Sequence, residues 1–595
     1  MDLLTRHLNS NMISLATIRL RQAALVCLAF LAFSCEKKNS NNILLVENSD
    51  LKVNETTPKR TLARQSADTF RLNIGSEAFV YGLADQMTVD LIVEIYDPNK
   101  KKIGTYDGPS RGDERFKFTT NTPGIHRIVV SPFEHGSGDY TLTINGVEAI
   151  ATDPEKLADQ IVSAALKKGE TPGATVAVQR DGKIVFSKGY GYADLEYGIK
   201  NTPSTIFHIA SVSKQFTAFA IAMLADQGKL NLNDDIRKYL PELHDFGSVI
   251  TIEHLVHHTS GLRDQWSLLM MAGWRLDDVI TKNQIMRVLS RQTDLNFKPG
   301  DEMVYCNSGY TLMAEIVSRV TGETFPDWCK KNIFDPLEMN STLFYDDHEK
   351  IVKNRAYSYY EVPEGFKKSV LSYANAGATS LFTTVEDLSL WAVNFETMKV
   401  GNKNVMDIMN RKFVLNNGDT IRYAFGQAIE EYKSLMSYSH GGADAGYRTF
   451  LLRFPDQHFS VCVFSNLASF DPGGLSYELA NIYLAKELKE KPSQVPPPPP
   501  PKVEPPFDPA SVKLSEFTGR FYSPELETFY TLDIKNDTLV AHHQRHDDLK
   551  LAPYKKDGFT TNFLGNLEFT RNGKGQVIGM KASNGRVRNL VFNKE

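Results

Sequence analysis

The stretch Phe207–Ala218 reads FHIASVSKQFTA, a strand-like apolar segment that runs into an Ala-rich helical pattern. It places Ser211 three residues before Lys214, near the predicted start of that helix. Side chains three residues apart lie on one helix face, so the hydroxyl and the amine can meet. A buried lysine has a lowered pKa and can accept the hydroxyl proton, while N–H groups at a helix start can stabilise an oxyanion. The same residues also fit a helix cap followed by a solvated lysine, and this pattern alone does not decide between the two.

Two later segments bear on this choice. Tyr305–Asn307, with the order Tyr-Cys-Asn, lies between Pro299-Gly300 and Ser308–Tyr310. His440–Gly442, a His-Gly-Gly triplet, shortly precedes a predicted strand over Tyr447–Phe454. Each segment taken alone also fits simple packing or a turn. Taken together, the order of these segments along the chain is what favours a catalytic role for Ser211.

In that order the three segments resemble the active-site motifs of serine β-lactamases and penicillin-binding proteins: S-x-x-K, Y-x-N and a third motif, Lys-Thr-Gly, on a sheet edge. The stretch Ile252–Leu262 is also similar to sequences of this family, and the resemblance extends from about Gly173 to Asn466. It implies an α+β catalytic domain of the β-lactamase/transpeptidase type, with an antiparallel sheet and a helical lobe. Predicted strands at both ends of this region, with helices between them, fit a single sheet closed by the two ends.

The resemblance also implies catalytic roles. Ser211 would attack a carbonyl carbon and form an acyl-enzyme. Lys214 and Tyr305 would share the serine proton, first as general base and then as general acid. No metal and no cofactor is implied.

The same resemblance implies a set of substrate contacts. Asn307 would orient the substrate amide and the catalytic lysine. The backbone N–H groups of Ser211 and Ala443 would form the oxyanion hole. Gly441 and Gly442 would let the substrate backbone approach the strand edge closely.

The sequence departs from the family pattern at His440, which stands in place of the third-motif lysine. In penicillin-hydrolysing members that lysine supports binding of the substrate carboxylate, whereas a histidine is only partly charged near neutral pH. Histidine there is more similar to the D-amino-acid peptidase and esterase branches. We count His440 with the catalytic residues and expect an ester or amide substrate of the D-amino-acid type, with esters or amides that lack a free carboxylate hydrolysed better than β-lactams. Arg448, a few residues on, is a candidate for the missing charge.

Two alternatives remain at this stage. One is true β-lactamase or D,D-carboxypeptidase activity. The other belongs to a different class, a non-catalytic binding protein built on a penicillin-binding fold. The presence of Ser211, Lys214 and Tyr305 together favours the enzyme, since a binding protein has no need of all three.

The first 35 residues have the pattern of an export signal. Arg19 and Arg21 precede the apolar run Ala23–Phe33, which is too short to span a bilayer as a helix. The run is followed by Ser34 and Cys35. A cysteine in this place is typical of bacterial lipoprotein signals, in which it carries the lipid. We therefore predict residues 1–35 as a signal, secretion across the inner membrane, and lipid anchoring at Cys35 in the periplasm or cell envelope. A plain cleaved signal or a short buried helix is the alternative, and Met12 could be the true start.

The remaining chain predicts a multidomain protein. Polar residues 36–60 predict a flexible tether, and short alternating strands over 61–150 predict a β-sandwich. The hydrolase domain is predicted over 154–490 and a Pro-rich linker over 491–509. Residues 510–595 alternate again and predict a small β-barrel-like domain. The two β-domains would bind a polymer or border the cleft.

Composition and charge limit the classes of partner that the protein is expected to bind. A formal net charge of −4 and the lack of a basic tract give no pull toward nucleic acid, so the predicted partners are a small-molecule or peptide substrate and the membrane. Cys306, Cys329 and Cys462 are scattered and odd in number, which favours buried apolar side chains over a disulfide framework. The segment Gly108–Gly112 matches G-x-S-x-G around Ser110, but its proline predicts a turn of the sandwich and not a nucleophile.

Overall fold

A computed structural model describes residues 45–48, 51–108, 112–489 and 507–595 of the chain. The predicted signal with Cys35, and nearly all of the predicted Pro-rich linker, lie outside the described residues. The described residues fall into two compact units. One extends to Gly169 and includes Glu478–Ala485; the other comprises Glu170–Tyr477 and Lys486–Glu595.

The first unit is a β-sandwich, as the alternating strands predict. Its strands are β1 (Leu45–Asn48), β2 (Arg60–Leu62), β3 (Ala67–Ile74), β4 (Ala78–Gln86), β5 (Leu91–Tyr96), β6 (Lys102–Tyr106), β7 (Gly112–Thr120), β8 (Gly124–Pro132) and β9 (Gly138–Glu148). They form one sheet in the order β1-β3-β8-β5-β6 and another in the order β2-β9-β4-β7. Alternate residues of both sheets point inward and form a common core that includes Phe70, Val93 and Leu142.

Part of the predicted tether over residues 36–60 belongs to this sandwich instead. β1 pairs in parallel with β3. Further on, the Thr56 and Thr143 hydroxyls lie 2.9 Å apart, beside a bridge between the two backbones. An extended polar segment can pair through its backbone alone, which composition does not reveal. The tether prediction is therefore wrong for the described residues of this stretch.

The predicted start of the hydrolase domain at residue 154 falls within the first compact unit, which extends to Gly169. Helix α1 (Pro154–Ala164) begins where the Asp153 carboxylate accepts the N–H groups of the next turn, and its last residue packs against Phe79 and Tyr81 of the sandwich. An amphipathic helix next to a domain boundary can pack on either neighbour, and its sequence does not say which one.

The second unit is built on a six-stranded antiparallel sheet. Its strands and small flanking strands are β10 (Ala174–Arg180), β11 (Lys183–Tyr190), β12 (Tyr192–Asp194), β13 (Ile199–Lys200), β14 (Phe207–His208), β15 (Ile280–Thr281), β16 (Leu343–Phe344), β17 (Ser358–Val362), β18 (Gly365–Ser369), β19 (Tyr373–Ala374), β20 (Leu381–Thr383), β21 (Ala428–Tyr432), β22 (Leu435–Asp444), β23 (Tyr447–Phe454) and β24 (Phe459–Ser465). The main sheet has the order β11-β10-β24-β23-β22-β21. β10 pairs with β24 along its whole length, so the two ends of the domain meet in the sheet. The predicted α+β architecture is confirmed.

The helices fill the sequence between the two halves of this sheet. They are α2 (Lys214–Asp226), α3 (Ile252–Val256), α4 (Gln265–Met271), α5 (Lys282–Ser290), α6 (Asn307–Thr321), α7 (Phe325–Cys329), α8 (Asp335–Leu337), α9 (Val385–Thr397) and α10 (Lys403–Met409), followed after the sheet by α11 (Pro472–Tyr483). α2 is buried along nearly its whole length, and α6 packs beside it. α6 ends at Gly322, whose φ of 73° is the left-handed conformation of a helix C-cap. The first two motifs end at the first residues of these two helices, Lys214 and Asn307.

The chain ends in a closed eight-stranded barrel. Its strands are β25 (Gly519–Ser523), β26 (Thr528–Lys535), β27 (Thr538–His542), β28 (Leu549–Lys555), β29 (Gly558–Thr561), β30 (Gly565–Arg571), β31 (Val577–Asn584) and β32 (Val587–Lys594). Each strand pairs with the next, and β25 pairs with β32 to close the barrel. The predicted barrel-like C-terminal domain is confirmed.

A buried ion pair fixes the barrel to the helical lobe. The fully buried Arg263 guanidinium donates to both carboxylate oxygens of Glu525, at 2.9 and 2.6 Å, and to the carbonyl of Arg588. A guanidinium removed from water needs such partners for its donors. Because Arg263 adjoins the start of α4, the barrel is held against the segment that leads into the active site.

The three cysteines predicted to be buried apolar side chains are free and buried, as expected. In the described part of the chain, no helix combines the length and apolarity that a membrane crossing requires. The same residues contain no group of three or more His, Cys, Asp or Glu side chains arranged to hold a metal ion.

Candidate active site

Ser211 lies in a tight turn between a strand and a helix. β14 leads into a 3-10 turn, Ala210–Ser213, and α2 begins only at Lys214. Ala210 has a φ of 49°, in the left-handed region that non-glycine residues rarely adopt. The Ser213 hydroxyl holds this turn by donating to the Ala210 carbonyl at 2.5 Å. The sequence predicted Ser211 at the helix start, whereas the turn places it ahead of the helix with its side chain toward Lys214.

Lys214 is completely buried and makes three hydrogen bonds. Its Nζ lies 3.0 Å from Ser211 Oγ, 2.8 Å from Asn307 Oδ1 and 2.6 Å from the Ala378 carbonyl. A neutral lysine has two N–H donors and one lone pair. The two donors match Asn307 and Ala378, which can only accept here, and the lone pair is then left for the Ser211 proton.

Burial lowers the pKa of Lys214 to about 7, so a large share of the protein carries the neutral amine near neutral pH. The negative charges of Asp264 and Asp444 oppose this shift, while the positive charge of Arg586 adds to it. A lysine with this pKa is suited to take a proton from a hydroxyl at physiological pH.

Asp264 holds Asn307 in place. Its Oδ2 accepts from the backbone N–H of Asn307 at 2.7 Å and from the side-chain amide at 2.8 Å. The amide nitrogen is therefore turned to Asp264 and the amide oxygen to Lys214. The other oxygen of Asp264 accepts the N–H groups of Trp266 and Ser267 as the cap of α4. The sequence predicted Asn307 but did not single out Asp264.

Tyr305 faces the nucleophile from the loop that precedes α6. The centre of its ring lies 4.9 Å from Lys214 Nζ and 4.2 Å from the centre of the His258 ring, to which it is tilted by 37°. Burial raises the pKa of Tyr305 above its usual value, and the Ser211 hydroxyl and Arg586 lower it in part. In the described structure the buried Tyr305 hydroxyl has no hydrogen bond of ordinary geometry. Among the described residues, the Ser211 hydroxyl is the polar group to which the Tyr305 hydroxyl is coupled.

His440 is buried and neutral. Burial and the charge of Lys214 lower the pKa of its imidazole to about 3. Nδ1 lies 2.7 Å from the Gly441 carbonyl and must donate to it, so Nε2 accepts from the Tyr423 hydroxyl at 2.9 Å. The sequence-based expectation of a partly charged imidazole is therefore wrong. The ring has neither a charge nor a spare donor for a substrate carboxylate.

The third-motif strand presents a free edge next to Ser211. Pairing of β21 with β22 stops at Ser439, so the rest of that edge, including Gly441 and Ala443, has no strand partner among the described residues. A Cβ on Gly442 would lie 2.2 Å from the Ile209 carbonyl oxygen, which belongs to the turn before Ser211. Gly442 therefore allows the strand to pack closely on this turn, and its role in substrate approach stays a prediction.

Arg448 does not supply the missing third-motif charge. Its neighbour Thr449 donates to the Ile209 carbonyl at 2.8 Å, on the face of the sheet that packs on the Ser211 turn. Consecutive residues of a strand point to opposite faces. Arg448 accordingly lies on the other face, where it donates to the carbonyls of Ala445 and Tyr447.

A charge that the sequence did not reveal comes from the barrel. Arg586, in the turn between β31 and β32, places its guanidinium 4.9 Å from the centre of the Tyr305 ring. Its charge acts on Lys214, Tyr305 and His258, as their pKa shifts show. Arg586 lies more than 140 residues beyond the last of the motifs, and only the fold of the barrel brings it there.

A serine in hydrogen-bond contact with a buried lysine, beside a free strand edge in an α+β domain, is the arrangement of a β-lactamase/transpeptidase-type site. The family model described as Beta-lactamase matches residues 158–483, more than half of the chain. The chain belongs to the beta-lactamase family.

The relatives agree with this assignment. "Protein flp" of Staphylococcus aureus strain MRSA252 is 28% identical over 331 residues, 54% of this chain and 64% of that protein. A D-aminopeptidase of Gluconobacter oxydans is 27% identical over 305 residues, 51% of this chain and 58% of that protein. The chain thus spans less than two thirds of these curated relatives. The octameric penicillin-binding protein homologue from Pyrococcus abyssi shares the fold, with a TM-score of 0.50 and 21% identity over 74% of this chain and 99% of that one.

Proposed function

We propose that the protein is a serine hydrolase that cleaves an ester or amide through an acyl-enzyme on Ser211. The observation that carries this proposal is the 3.0 Å contact between Ser211 Oγ and Lys214 Nζ, in a site where burial lowers the lysine pKa to about 7. If Lys214 were buried only for packing, there would be no reason for its amine to face Ser211 with a lone pair that its other two partners leave free.

The proposed reaction has two halves. Ser211 Oγ attacks the substrate carbonyl carbon while its proton passes to Lys214 Nζ, and the oxyanion is stabilised by the N–H groups of Ser211 and Ala443. The tetrahedral intermediate then expels the leaving group, which takes up the proton through Lys214 and Tyr305. Water attacks the acyl-enzyme with the same groups acting in reverse, which releases the acid and restores Ser211.

We assign the substrate to esters or amides of the D-amino-acid type. The similarity to a D-aminopeptidase supports this class. The neutral His440 supports it too, because the strand then lacks the cation that holds the carboxylate of a penicillin in β-lactam-hydrolysing members of the family. The third-motif strand by itself therefore gives no support to true β-lactamase activity.

The proposal is tested with purified protein and a chromogenic ester of an N-acyl-D-alanine. An acyl-enzyme that is hydrolysed slowly produces an initial burst of alcohol, equal in amount to the enzyme, before steady turnover. Turnover of the ester supports a hydrolase, and a burst adds direct evidence for the intermediate. Absence of any turnover across esters, D-amino-acid amides and β-lactams would instead favour the non-catalytic binding protein.

Replacing His440 by lysine is expected to increase acylation by benzylpenicillin by about tenfold, because a charge-assisted contact to the carboxylate contributes about 1–3 kcal/mol. The measurement compares kcat/KM for benzylpenicillin and a carboxylate-free D-alanyl ester. His440→Gln, which adds no charge, is the matched control and should not raise the penicillin value. A wild type that already prefers penicillin, with no change in His440→Lys, would refute this role of His440.

We also propose that the protein is exported and anchored in the cell envelope through a lipid on Cys35. Support comes from the Arg19 and Arg21 charges, the apolar run and the cysteine at its end. Expressed in a bacterial host, the wild type should partition into the detergent phase after cell lysis, and Cys35→Ser should be recovered in the aqueous phase. Cys27→Ser, which removes the other cysteine of the segment, is the control. A wild type in the aqueous phase with an unmodified Cys35 would exclude the anchor.

A further inference from the structure

The last turn of the barrel is fixed to the active-site loop. The carbonyl of Arg586 accepts from the backbone N–H of Asp264 at 3.3 Å and from the Asn296 side-chain amide at 2.9 Å. Asn296 also accepts from the next strand, at the N–H of Arg588, at 2.7 Å. Since Asp264 positions Asn307, the backbone of Arg586 is tied directly to the catalytic machinery. The backbone position of Arg586 is therefore fixed, and from there its guanidinium reaches over the Tyr305 ring.

Arg586 differs from its two arginine neighbours in its charge partners. Arg263 is paired with Glu525, and Arg588 makes two hydrogen bonds to Glu302, at 2.9 and 2.8 Å. In the described structure no carboxylate lies within ion-pair distance of the Arg586 guanidinium. The nearby Asp264 carboxylate already accepts four N–H groups. Arg586 is half-buried, so its charge is partly removed from water without being matched by the protein.

The position of Arg586 beside Tyr305 indicates which part of a substrate it meets. In the proposed reaction, which this inference rests on, the leaving group takes up its proton through Lys214 and Tyr305. A group that gives a proton must lie within hydrogen-bond reach of the atom that receives it. The leaving group must therefore lie beside Tyr305. The Arg586 guanidinium lies over the Tyr305 ring and is therefore close to the leaving group.

We propose that Arg586 binds a carboxylate carried by the leaving group of the substrate. A guanidinium can hold a carboxylate through two parallel hydrogen bonds, which gives both affinity and orientation. The substrate class is then an acyl compound whose leaving group is itself a small acid, such as an amino acid or a hydroxy acid. Neither His440 nor Arg448 can take this role, because the first is neutral with both nitrogens occupied and the second lies on the opposite face of the sheet.

The test uses two thioesters that share the N-benzoyl-D-alanyl group and the leaving sulfur atom. One releases thioglycolate and the other releases its methyl ester, so they differ only in the leaving-group carboxylate. Thiol release is followed at pH 9, well above the pKa of about 7 of Lys214 in the wild type. We expect the wild type to hydrolyse the acid better than the methyl ester, with a kcat/KM ratio of about ten or more. In Arg586→Gln, kcat/KM for the acid should fall about 10- to 100-fold and that for the methyl ester less than about threefold.

Two further variants separate recognition from general effects. Arg586→Lys keeps the charge but not the two-bond geometry and should keep part of the preference. Arg520→Gln removes an exposed charge from the same barrel, where Arg520 pairs with Glu595, and should leave the ratio unchanged. A wild type that prefers the methyl ester, or equal losses for both substrates in Arg586→Gln, would overturn the inference while leaving the hydrolase intact. If neither thioester is hydrolysed and Ser211 is not acylated, the proposed function fails as well.

Discussion

Replacing Ser211 by alanine is expected to lower kcat for an N-acyl-D-alanine ester by roughly 10³–10⁶-fold. The variant keeps Lys214, Tyr305 and the strand edge but has no atom that can form the acyl bond. What remains is the catalysis that substrate positioning and an oxyanion hole can supply. The measurement is steady-state hydrolysis with both proteins at equal concentration.

The fold of this variant should be unaffected. In the described structure Ser211 Oγ contacts Lys214, whereas the hydroxyl that holds the turn belongs to Ser213. We expect a melting temperature within a few degrees of that of the wild type. Ser110→Ala, which alters the G-x-S-x-G match, is the matched control and should keep full activity. Loss of activity in Ser110→Ala with retention in Ser211→Ala would reverse the assignment.

Replacing Lys214 by methionine is expected to lower kcat/KM by roughly 10²–10⁴-fold, the usual contribution of a general base. Methionine has a similar length and suits a buried position, but it cannot accept the Ser211 proton. It also leaves Asn307 Oδ1 and the Ala378 carbonyl without their donor. Lys229→Met, an exposed lysine just beyond the same helix, is the control and should keep wild-type activity.

The pH dependence of the wild type gives an independent check on this role. Protonated Lys214 has no lone pair, so kcat/KM should fall as the pH drops below about 7 and level off above it. In Arg586→Gln the midpoint should move to higher pH, because the guanidinium contributes to the lowered pKa. A rate that is constant between pH 5 and 9 would exclude Lys214 as the base.

The three motifs were predictable because they follow one another in a fixed order along the chain. Their spacing and the flanking Gly and Pro residues were enough to predict the fold and to bring Ser211, Lys214, Tyr305 and Asn307 together. The structure brings them together. The distance of each from its partners depends on local turns, which is why the 3-10 turn before α2 was not foreseen.

Other features depend on contacts between distant segments, and no local pattern reports them. Asp264 lies two residues after a stretch similar to sequences of the family, but its role depends on where α6 begins. Nothing in the sequence around Arg586 distinguishes it from other turn residues. It comes to the active site because the barrel packs on Arg263. The charge of His440 depends on its burial. The role of Gly442 depends on a contact with Ile209.

One measurement addresses the acyl-enzyme itself. The protein is incubated with a fluorophosphonate probe, digested, and the modified peptide is identified by mass spectrometry. We predict one equivalent of probe per chain, located on Ser211, and no modification of the Ser211→Ala variant. A probe attached to Ser110 or to any other residue, with Ser211 unmodified, would contradict the proposed mechanism.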